Sequence, residues 1–316
     1  MKLQTQIPLK KQPHNLIDYN SKLLLLGSCF SENIGNKLSY YKFQSQQNPF
    51  GILFHPKAIE KLITDAVNQK KYTEKDIFYH NESWHCFDAH SSISSSDKKE
   101  VLNNLNIQNT ATFQQLKNAS HLVITLGTSW VYRKISSDAI VANCHKIPQK
   151  NFLKEILTIN EITESLSKII NTTKSINPKI NFIFTVSPVR HIKDGFIENQ
   201  QSKSHLISAI HQIIDTKKNV YYFPSYEIMM DELRDYRFYA EDMIHPNNTA
   251  INYIWEKFIE VWISEQSKET MQKVATIQKG LTHRSFNPTS EAHQKFLKKI
   301  AQKKETLQKA FPFIIF

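Results

Sequence analysis

The stretch that decides the fold is Leu23-Leu24-Leu25-Leu26-Gly27-Ser28-Cys29-Phe30. Its four leucines form a short apolar run, which is typical of a strand buried in a parallel sheet. A glycine follows, and glycine is used where the backbone must turn sharply. A helix-like stretch comes next. The segment therefore predicts a strand, a tight turn and a helix, with nucleophilic side chains at the turn.

Three further apolar runs predict buried parallel strands, at residues 121–126, 181–186 and 220–223. Between them, apolar side chains recur at steps of three and four, which predicts helices over residues 151–170, 201–214 and 250–263. Strands that alternate with helices predict an open α/β sheet with helices on both faces. Ligands of such sheets bind at the carboxyl ends of the strands.

The 316 residues are enough for one large domain or two small ones. We expect a main domain over residues 1–264 and a basic helical extension over residues 265–316 that packs on it. Residues 56–120 fit the alternation of strands and helices poorly. We interpret them as an insertion that serves as a lid or as a wall of the substrate site.

The net charge is +11, and the last 52 residues carry ten Lys or Arg against four Asp or Glu. A solvated helical surface explains this excess, and an anionic ligand is equally compatible with it. No nucleic-acid-binding motif accompanies the charge, so we expect no nucleic-acid partner. There is no apolar run of about 18 residues, which predicts no membrane span. Three cysteines and a polar start without a signal-peptide pattern predict a cytoplasmic protein.

Two segments predict a nucleophile–base–orienter triad. Cys29 is expected near the first N–H groups of a helix, where a thiol pKa is lowered. Ser28 is the competing nucleophile, and a buried, inert Cys29 is the structural alternative. Far downstream, Asp242-Met243-Ile244-His245 places a carboxylate three residues before an imidazole. The carboxylate can hold one ring nitrogen of His245 and leave the other as a base.

Other polar residues are weaker candidates for the site. His145, Arg190 and His191 follow predicted strands or lie in loops, so they are expected to line the pocket. Arg190 can bind a carboxylate, phosphate or sulfate through its planar fork, and a structural ion pair is the alternative. The spacing of His85, Cys86 and His90 fits no standard zinc pattern, so we predict no metal and no cofactor.

The chain resembles the GSCFA family, which is grouped with the SGNH/GDSL hydrolase-like fold. The resemblance covers most of the chain from about residue 23, and its segments include Gly27-Ser28-Cys29-Phe30, Asn48-Pro49-Phe50-Gly51, Gly127-Thr128-Ser129-Trp130 and Asp242 to His245. It implies a flavodoxin-like, mostly parallel sheet. The SGNH nucleophile block reads Gly-Asp-Ser-Leu, and its serine position falls on Cys29. Cys29 is therefore the first choice as nucleophile and Ser28 the second.

The same resemblance implies an oxyanion hole. Gly51 corresponds to the glycine whose N–H binds the oxyanion, with Asn48 nearby. Ser129 stands where the family fold has asparagine, so the hole is altered or Asn48 substitutes. Thr128 is expected to contact substrate. A missing donor matters, because one such group contributes about 10²–10³ in rate.

The resulting prediction is acyl-ester chemistry, as an esterase or an acyltransferase, on an O-acyl substrate such as an acylated sugar or polysaccharide precursor. A thioester passes its acyl group readily to an acceptor, which favours transfer from a donor such as acetyl-CoA. The alternative is a catalytically silent module that binds a sugar or a nucleotide. The sequence leaves open which residue is the nucleophile, hydrolysis against transfer, and the oligomeric state.

Overall fold

The computed structural model describes residues 5–316. Within them the chain forms ten strands: β1 (Lys22–Gly27), β2 (Gln44–Gln47), β3 (Ile77–His80), β4 (Ser83–Cys86), β5 (His121–Leu126), β6 (Trp130–Lys134), β7 (Ala139–Val141), β8 (Phe152–Ile156), β9 (Asn181–Val186) and β10 (Val220–Tyr222). The helices are α1 (Cys29–Tyr40), α2 (Pro56–Val67), α3 (Lys98–Asn118), α4 (Ile159–Ile176), α5 (Phe196–Ile213), α6 (Ser225–Glu227), α7 (Asn248–Trp262), α8 (Glu265–Thr282) and α9 (Glu291–Ala310).

Five strands form the central sheet, in the order β10-β9-β5-β1-β2, and every neighbouring pair is parallel. Counted along the chain, this is the order 2-1-3-4-5, which is that of flavodoxin-like folds. The order reverses between β1 and β5. The crevice at the carboxyl ends of these two strands is therefore where a ligand site is expected.

The inner strands β1, β5 and β9 place alternate side chains in two separate cores, one on each face of the sheet. Leu24 and Leu26 of β1 pack against α2 to α5, whereas Leu23 and Leu25 pack against α1, α7 and α8. The neighbouring strands β5 and β9 divide their side chains in the same way. Because both faces are covered, the inner strands β1, β5 and β9 are mostly apolar, and this confirms the predicted α/β sheet with helices on both sides.

Residues 56–120 contribute to the main body. Apolar side chains of α2 and α3 belong to the core on one face of the sheet. Between these helices lies the antiparallel hairpin β3–β4, outside the central sheet. A second antiparallel sheet, β7-β6-β8, follows β5. The predicted insertion thus contains two helices that cover one face of the central sheet and one added hairpin. Its function as a lid or substrate wall stays a prediction.

The sequence-based helix over residues 151–170 was wrong in its first part. Residues 152–156 form β8, which pairs with β6. The helix begins after Thr158, whose side chain forms a capping box with Glu161. The apolar residues spaced by three and four from Phe152 onward belong to a strand and then to a helix. Their spacing resembled that of one continuous helix, which explains the error.

The C-terminal residues form the two expected helices, α8 and α9, and the chain end returns to the body. Ile314 is 1% exposed, and the rings of Tyr19 and Phe311 lie 5.1 Å apart. Gln278 of α8 donates to the carbonyl of Tyr40 at 3.0 Å. Throughout residues 5–316, no helix combines the length and the apolar character that crossing a bilayer requires. The division into two domains stays a prediction.

Replacing Gly27 with alanine should strongly destabilise the protein. Gly27 has φ +131°, and an added Cβ would lie 2.0 Å from the carbonyl oxygen of Thr125 on β5. Backbone atoms of a central strand cannot move aside, so we expect a loss of at least about 2 kcal/mol in the free energy of unfolding. Denaturant unfolding of the purified variant measures it.

Gly35→Ala is the matched control in α1. Its added Cβ would meet the end of the Gln47 side chain, which can rotate away. Alanine also favours a helix by about 1 kcal/mol over glycine. We expect this variant to remain within about 1 kcal/mol of the wild type. Equal losses for both glycines would contradict the close approach of β1 to β5.

Candidate functional site

The turn after β1 places Ser28 and Cys29 differently. Ser28 is the N-cap of α1: it is fully buried, and its hydroxyl oxygen accepts the Phe30 N–H at 3.4 Å. Cys29 is the first residue of α1, is partly exposed, and lines a cavity. The neighbouring N–H of Ser28 donates to the carbonyl of Thr125, which fixes the turn against β5. Of the two candidate nucleophiles, Cys29 is thus the one that lines the cavity.

The electrostatics of Cys29 differ from the sequence-based expectation. Burial raises the pKa of the Cys29 thiol, and the nearby Glu32 carboxylate raises it further. The Lys203 ammonium and the N–H groups of Cys29 and Phe30 lower this pKa, but by less. The expectation of a lowered thiol pKa at the helix start is therefore corrected. The thiol needs a base to become a nucleophile at neutral pH.

Asp242 holds His245 in a fixed orientation. One carboxylate oxygen lies 2.7 Å from His245 Nδ1, and the other accepts the N–H groups of Ile244 and His245 at 2.9 and 3.0 Å. Met243 adopts φ +58°, which tightens the turn. These hydrogen bonds lower the pKa of Asp242 to about 2. Because Nδ1 faces the carboxylate, Nε2 is the nitrogen left to accept a proton.

Cys29 and His245 line one cavity of about 670 Å³, which is a typical volume for a small-molecule site. The cavity lies at the carboxyl ends of β1, β5 and β9. The antiparallel sheet β7-β6-β8 and the loops beside it form the opposite wall. Aromatic, aliphatic and polar side chains share the lining, among them Ile52, Phe54, Thr128, Trp130, Tyr132, Cys144, Phe152, Arg190, His191, Lys193 and Asp194.

The predicted oxyanion residues are engaged elsewhere. The Gly51 N–H donates to the carbonyl of Asn48 at 2.8 Å. The Asn48 side-chain oxygen accepts the Gly27 N–H at 2.9 Å, and its amide nitrogen donates to a Glu32 carboxylate oxygen at 3.5 Å. Ser129 is fully buried, and its hydroxyl donates to the carbonyl of Ser202 at 3.3 Å. Contrary to expectation, the structure does not bring these three groups to the cavity lining; they brace the turn and the loop after β5.

The residues expected to bind substrate divide into two groups. Thr128, Arg190 and His191 line the cavity. His145 does not: it is buried against the β3–β4 hairpin, its Nε2 lies 2.7 Å from the carbonyl oxygen of Cys86, and burial lowers its pKa to about 4. The expectation that His145 lines the pocket is therefore corrected, because its side chain anchors the added hairpin.

His191 and Arg190 lie side by side but differ in charge. Burial, helped by Lys203 and His245, lowers the pKa of His191 to about 3, so its ring is neutral at physiological pH. Its Nε2 is buried and has no hydrogen-bond partner among residues 5–316. The Arg190 guanidinium lies over the rings of Tyr239 and Tyr236, at 4.3 and 5.2 Å from their centroids.

Sequence reasoning missed Lys203. It is fully buried in α5, and its ammonium donates to the carbonyls of Gly127 and Ser187 at 2.6 and 2.8 Å. It thereby joins the loops that follow β5 and β9. Burial lowers the pKa of Lys203 to about 7, against a raising effect of Cys29. The sequence did contain a signal for this burial: Lys203 lies three residues before Leu206 and so falls on the apolar face of α5.

Lys203→Met should change how stability depends on pH. The unfolded chain holds this proton until about pH 10.4, whereas the folded protein releases it near pH 7. Between these values the unfolded state binds more protons, so the stability of the Lys203 protein rises with pH. Relative to the methionine variant, we expect a gain of up to about 1.4 kcal/mol per pH unit. Urea unfolding from pH 7 to about pH 9.5, below the range where tyrosines titrate, measures it.

Both proteins should carry Cys29→Ala, so that the neighbouring thiol does not contribute its own titration. Lys279→Met, at an exposed position of α8, is the control, and we expect its unfolding free energy to run parallel to that of the parent. Parallel curves for Lys203→Met as well would show that the buried ammonium keeps an ordinary pKa.

No curated protein matches the chain significantly. The crystal structure of an acetyl esterase mutant with acetate ion covers 81% of this chain and 99% of its own, at 10% identity and a TM-score of 0.38. A carbohydrate esterase family 3 structure from Talaromyces cellulolyticus covers the same shares at 9% identity and a TM-score of 0.36.

The family models match most of the chain. The model of the GSCFA family spans residues 22–258, from β1 into α7. A second model, described as the C-terminal domain of GSCFA domain proteins, spans residues 274–316 and so covers α9 and the returning chain end. The strand–turn–helix and the Asp242–His245 pair both lie within the first match. The chain therefore belongs to the GSCFA family.

Proposed function

We propose that the protein carries out acyl-ester chemistry with Cys29 as the nucleophile, His245 as the base and Asp242 as the residue that orients His245. One observation carries the proposal: Cys29 and a carboxylate-held His245 line the same cavity at the carboxyl ends of the central strands. A nucleophile and an oriented base that face one ligand-sized space are the parts that acyl transfer needs.

In the first half of the reaction, His245 Nε2 takes the proton from the Cys29 thiol as the sulfur attacks the acyl carbonyl carbon. The tetrahedral intermediate collapses, and its carbon–oxygen bond to the alcohol breaks. The imidazolium of His245 gives its proton to that leaving oxygen. The enzyme then holds a thioester on Cys29. The Asp242 carboxylate, whose pKa lies near 2, stays ionised and stabilises the imidazolium.

In the second half, His245 removes a proton from water or from an acceptor hydroxyl, which attacks the thioester. The proton then returns to sulfur. The N–H of Cys29 reaches the sulfur at the start of α1, so we assign the oxyanion to this helix end, whereas the Phe30 N–H already donates to the Ser28 hydroxyl at 3.4 Å. This assignment replaces the donors of Gly51, Asn48 and Ser129, which other groups occupy.

The cavity wall supports a small-molecule or carbohydrate ester as the substrate. Trp130, Tyr132 and Phe54 contribute aromatic rings to the lining, against which a sugar ring or an acyl group can pack. The resemblance of the motifs to SGNH hydrolases points to O-acyl esters. A thioester intermediate favours transfer to an acceptor, with acetyl-CoA as a candidate donor.

A binding module for a sugar or a nucleotide is the second candidate function. The raised pKa of Cys29 and the engaged oxyanion residues favour it. The hydrogen-bonded pair of Asp242 and His245 favours the enzyme, because a binding site has no need of an oriented base. The two candidates differ in whether an acyl group reaches sulfur.

Cys29→Ala and His245→Ala should each abolish turnover of a short aryl ester such as p-nitrophenyl acetate. We expect losses of at least about 10²-fold, since the first removes the nucleophile and the second the general base. Release of nitrophenol measures turnover. Mass mapping after rapid acid quench should find the acetyl group on Cys29 in the wild type.

Ser28→Ala is the matched control at the adjacent position. It should keep turnover and lose about 1 kcal/mol of stability, because the N-cap of α1 is removed. Loss of turnover with Ser28→Ala alone would make serine the nucleophile. A wild type that gains no acetyl group from the aryl ester or from labelled acetyl-CoA would support the binding module.

Asp242→Asn should lower turnover by about 10²-fold or more, with little change in the KM for the ester. The amide can neither hold the Nδ1 proton as a charged acceptor nor stabilise the imidazolium. Asp235→Asn, at an exposed carboxylate paired with Arg237, is the control and should leave turnover unchanged. Steady-state kinetics of the two variants distinguish an orienting carboxylate from a surface ion pair.

A further inference from the structure

The proposed cavity carries positive charge that no carboxylate of the protein neutralises. Arg190 and Lys193 both line it. Within residues 5–316, no carboxylate oxygen lies within 4.0 Å of either side chain's nitrogens, in contrast to Arg133, which pairs with Glu155. The hydrogen bond of the Arg190 guanidinium goes to the hydroxyl of Tyr236, at 3.4 Å.

The carboxylates at the cavity are already bound to other side chains of the protein. Asp194 is the acidic side chain of the described lining, and Lys154 holds it at 2.7 Å. Asp242 stands behind His245 and is bound to its ring. Neither carboxylate is available to Arg190. The neutral ring of His191 adds no charge, so Arg190 and Lys193 are the cationic side chains of the described lining. Outside the lining, the Lys203 ammonium and the Glu32 carboxylate act on Cys29 with opposite sign.

The geometry of Arg190 suits an incoming anion. Its guanidinium lies against the faces of Tyr239 and Tyr236, which restricts its rotation. A guanidinium carries five N–H donors in a planar fork, and the hydrogen bond to Tyr236 leaves N–H groups for a two-point contact with a carboxylate or phosphate. Because the stacking limits the freedom of the side chain before binding, less conformational entropy is lost on binding.

We propose that the cavity binds ligands with an anionic group, a carboxylate or a phosphate, through Arg190 with support from Lys193, so that the anion lies beside Cys29. For the reaction this rests on the proposed function and means that the ester substrate, or the acyl donor, carries that anion. The binding of the anion itself does not require turnover.

Alkylation of Cys29 with a matched pair of reagents tests this without any ester. Iodoacetate carries a carboxylate, and iodoacetamide is its neutral counterpart. Mass mapping follows Cys29 separately from Cys86 and Cys144. The ratio of the two rates cancels changes in thiol pKa or exposure, since both reagents attack the same sulfur. Relative to mercaptoethanol, we expect the ratio of iodoacetate to iodoacetamide to be about tenfold higher at low salt.

Arg190→Gln should lower the ratio towards that of the free thiol, and Lys193→Gln should lower it by less. Arg190→Lys keeps the charge and should keep part of the effect, which guards against loss of fold in Arg190→Gln. Arg237→Gln removes an exposed arginine outside the cavity lining and should leave the ratio unchanged. A wild-type ratio equal to that of mercaptoethanol, or one insensitive to Arg190→Gln, would overturn the proposal.

Protection distinguishes the two kinds of anion. Millimolar inorganic phosphate or benzoate, added before iodoacetamide, should slow the alkylation of Cys29 in the wild type and not in Arg190→Gln. Stronger protection by phosphate indicates a phosphorylated ligand, stronger protection by benzoate a carboxylate, and protection by neither overturns the proposal. A raised ratio in a protein that gains no acetyl group from the aryl ester or from labelled acetyl-CoA would reject the acyl chemistry and keep the anion site. Ester turnover with a ratio equal to that of mercaptoethanol would keep the acyl chemistry and reject the anion site.

Discussion

The close approach of β1 to β5 at Gly27 is the constraint on which the site depends. The Thr125 carbonyl occupies the space of a Gly27 side chain and accepts the Ser28 N–H at 3.0 Å. The chain therefore leaves β1 in a conformation that only glycine adopts easily. The side-chain oxygen of Asn48 accepts the Gly27 N–H, so the loop after β2 is also held against this turn. As a result α1 begins at a fixed point, and Cys29 lies at the crevice where the strand order reverses.

Lys203 imposes a second constraint, and it is electrostatic. A charged ammonium away from water is costly unless it is hydrogen-bonded, and here two carbonyls at the ends of adjacent strands supply the bonds. The same charge acts on the groups around it. It opposes part of the effect of burial and Glu32, which together raise the pKa of Cys29, and it adds to the effect of burial, which lowers the pKa of His191. One buried side chain thus couples the position of the strand ends to the protonation of the cavity.

The sequence predicted the parts that local chemistry determines. Buried central strands are apolar on both faces, so β1, β5 and β9 were found within one residue of their ends. The edge strand β2 is Gln-Ser-Gln-Gln and has no apolar pattern, so it was missed. The turn at Ser28 and Cys29 and the Asp242–His245 pair follow from short motifs. The engagement of Gly51, Asn48 and Ser129, the burial of His145 and the partners of Lys203 depend on residues far away in the chain, which no local pattern contains.

The raised pKa of Cys29 bears on how such a site would work. A preformed thiolate–imidazolium pair needs a thiol whose pKa is depressed, and burial beside Glu32 does the opposite. In the proposed reaction, attack is then coupled to proton transfer to His245, as it is for a serine nucleophile. A thiolate from a thiol of higher pKa is intrinsically more nucleophilic, which offsets part of its lower abundance. The neutral resting thiol also leaves the positive charge of Arg190 without a counter-ion inside the cavity, so an incoming anion meets no competing thiolate.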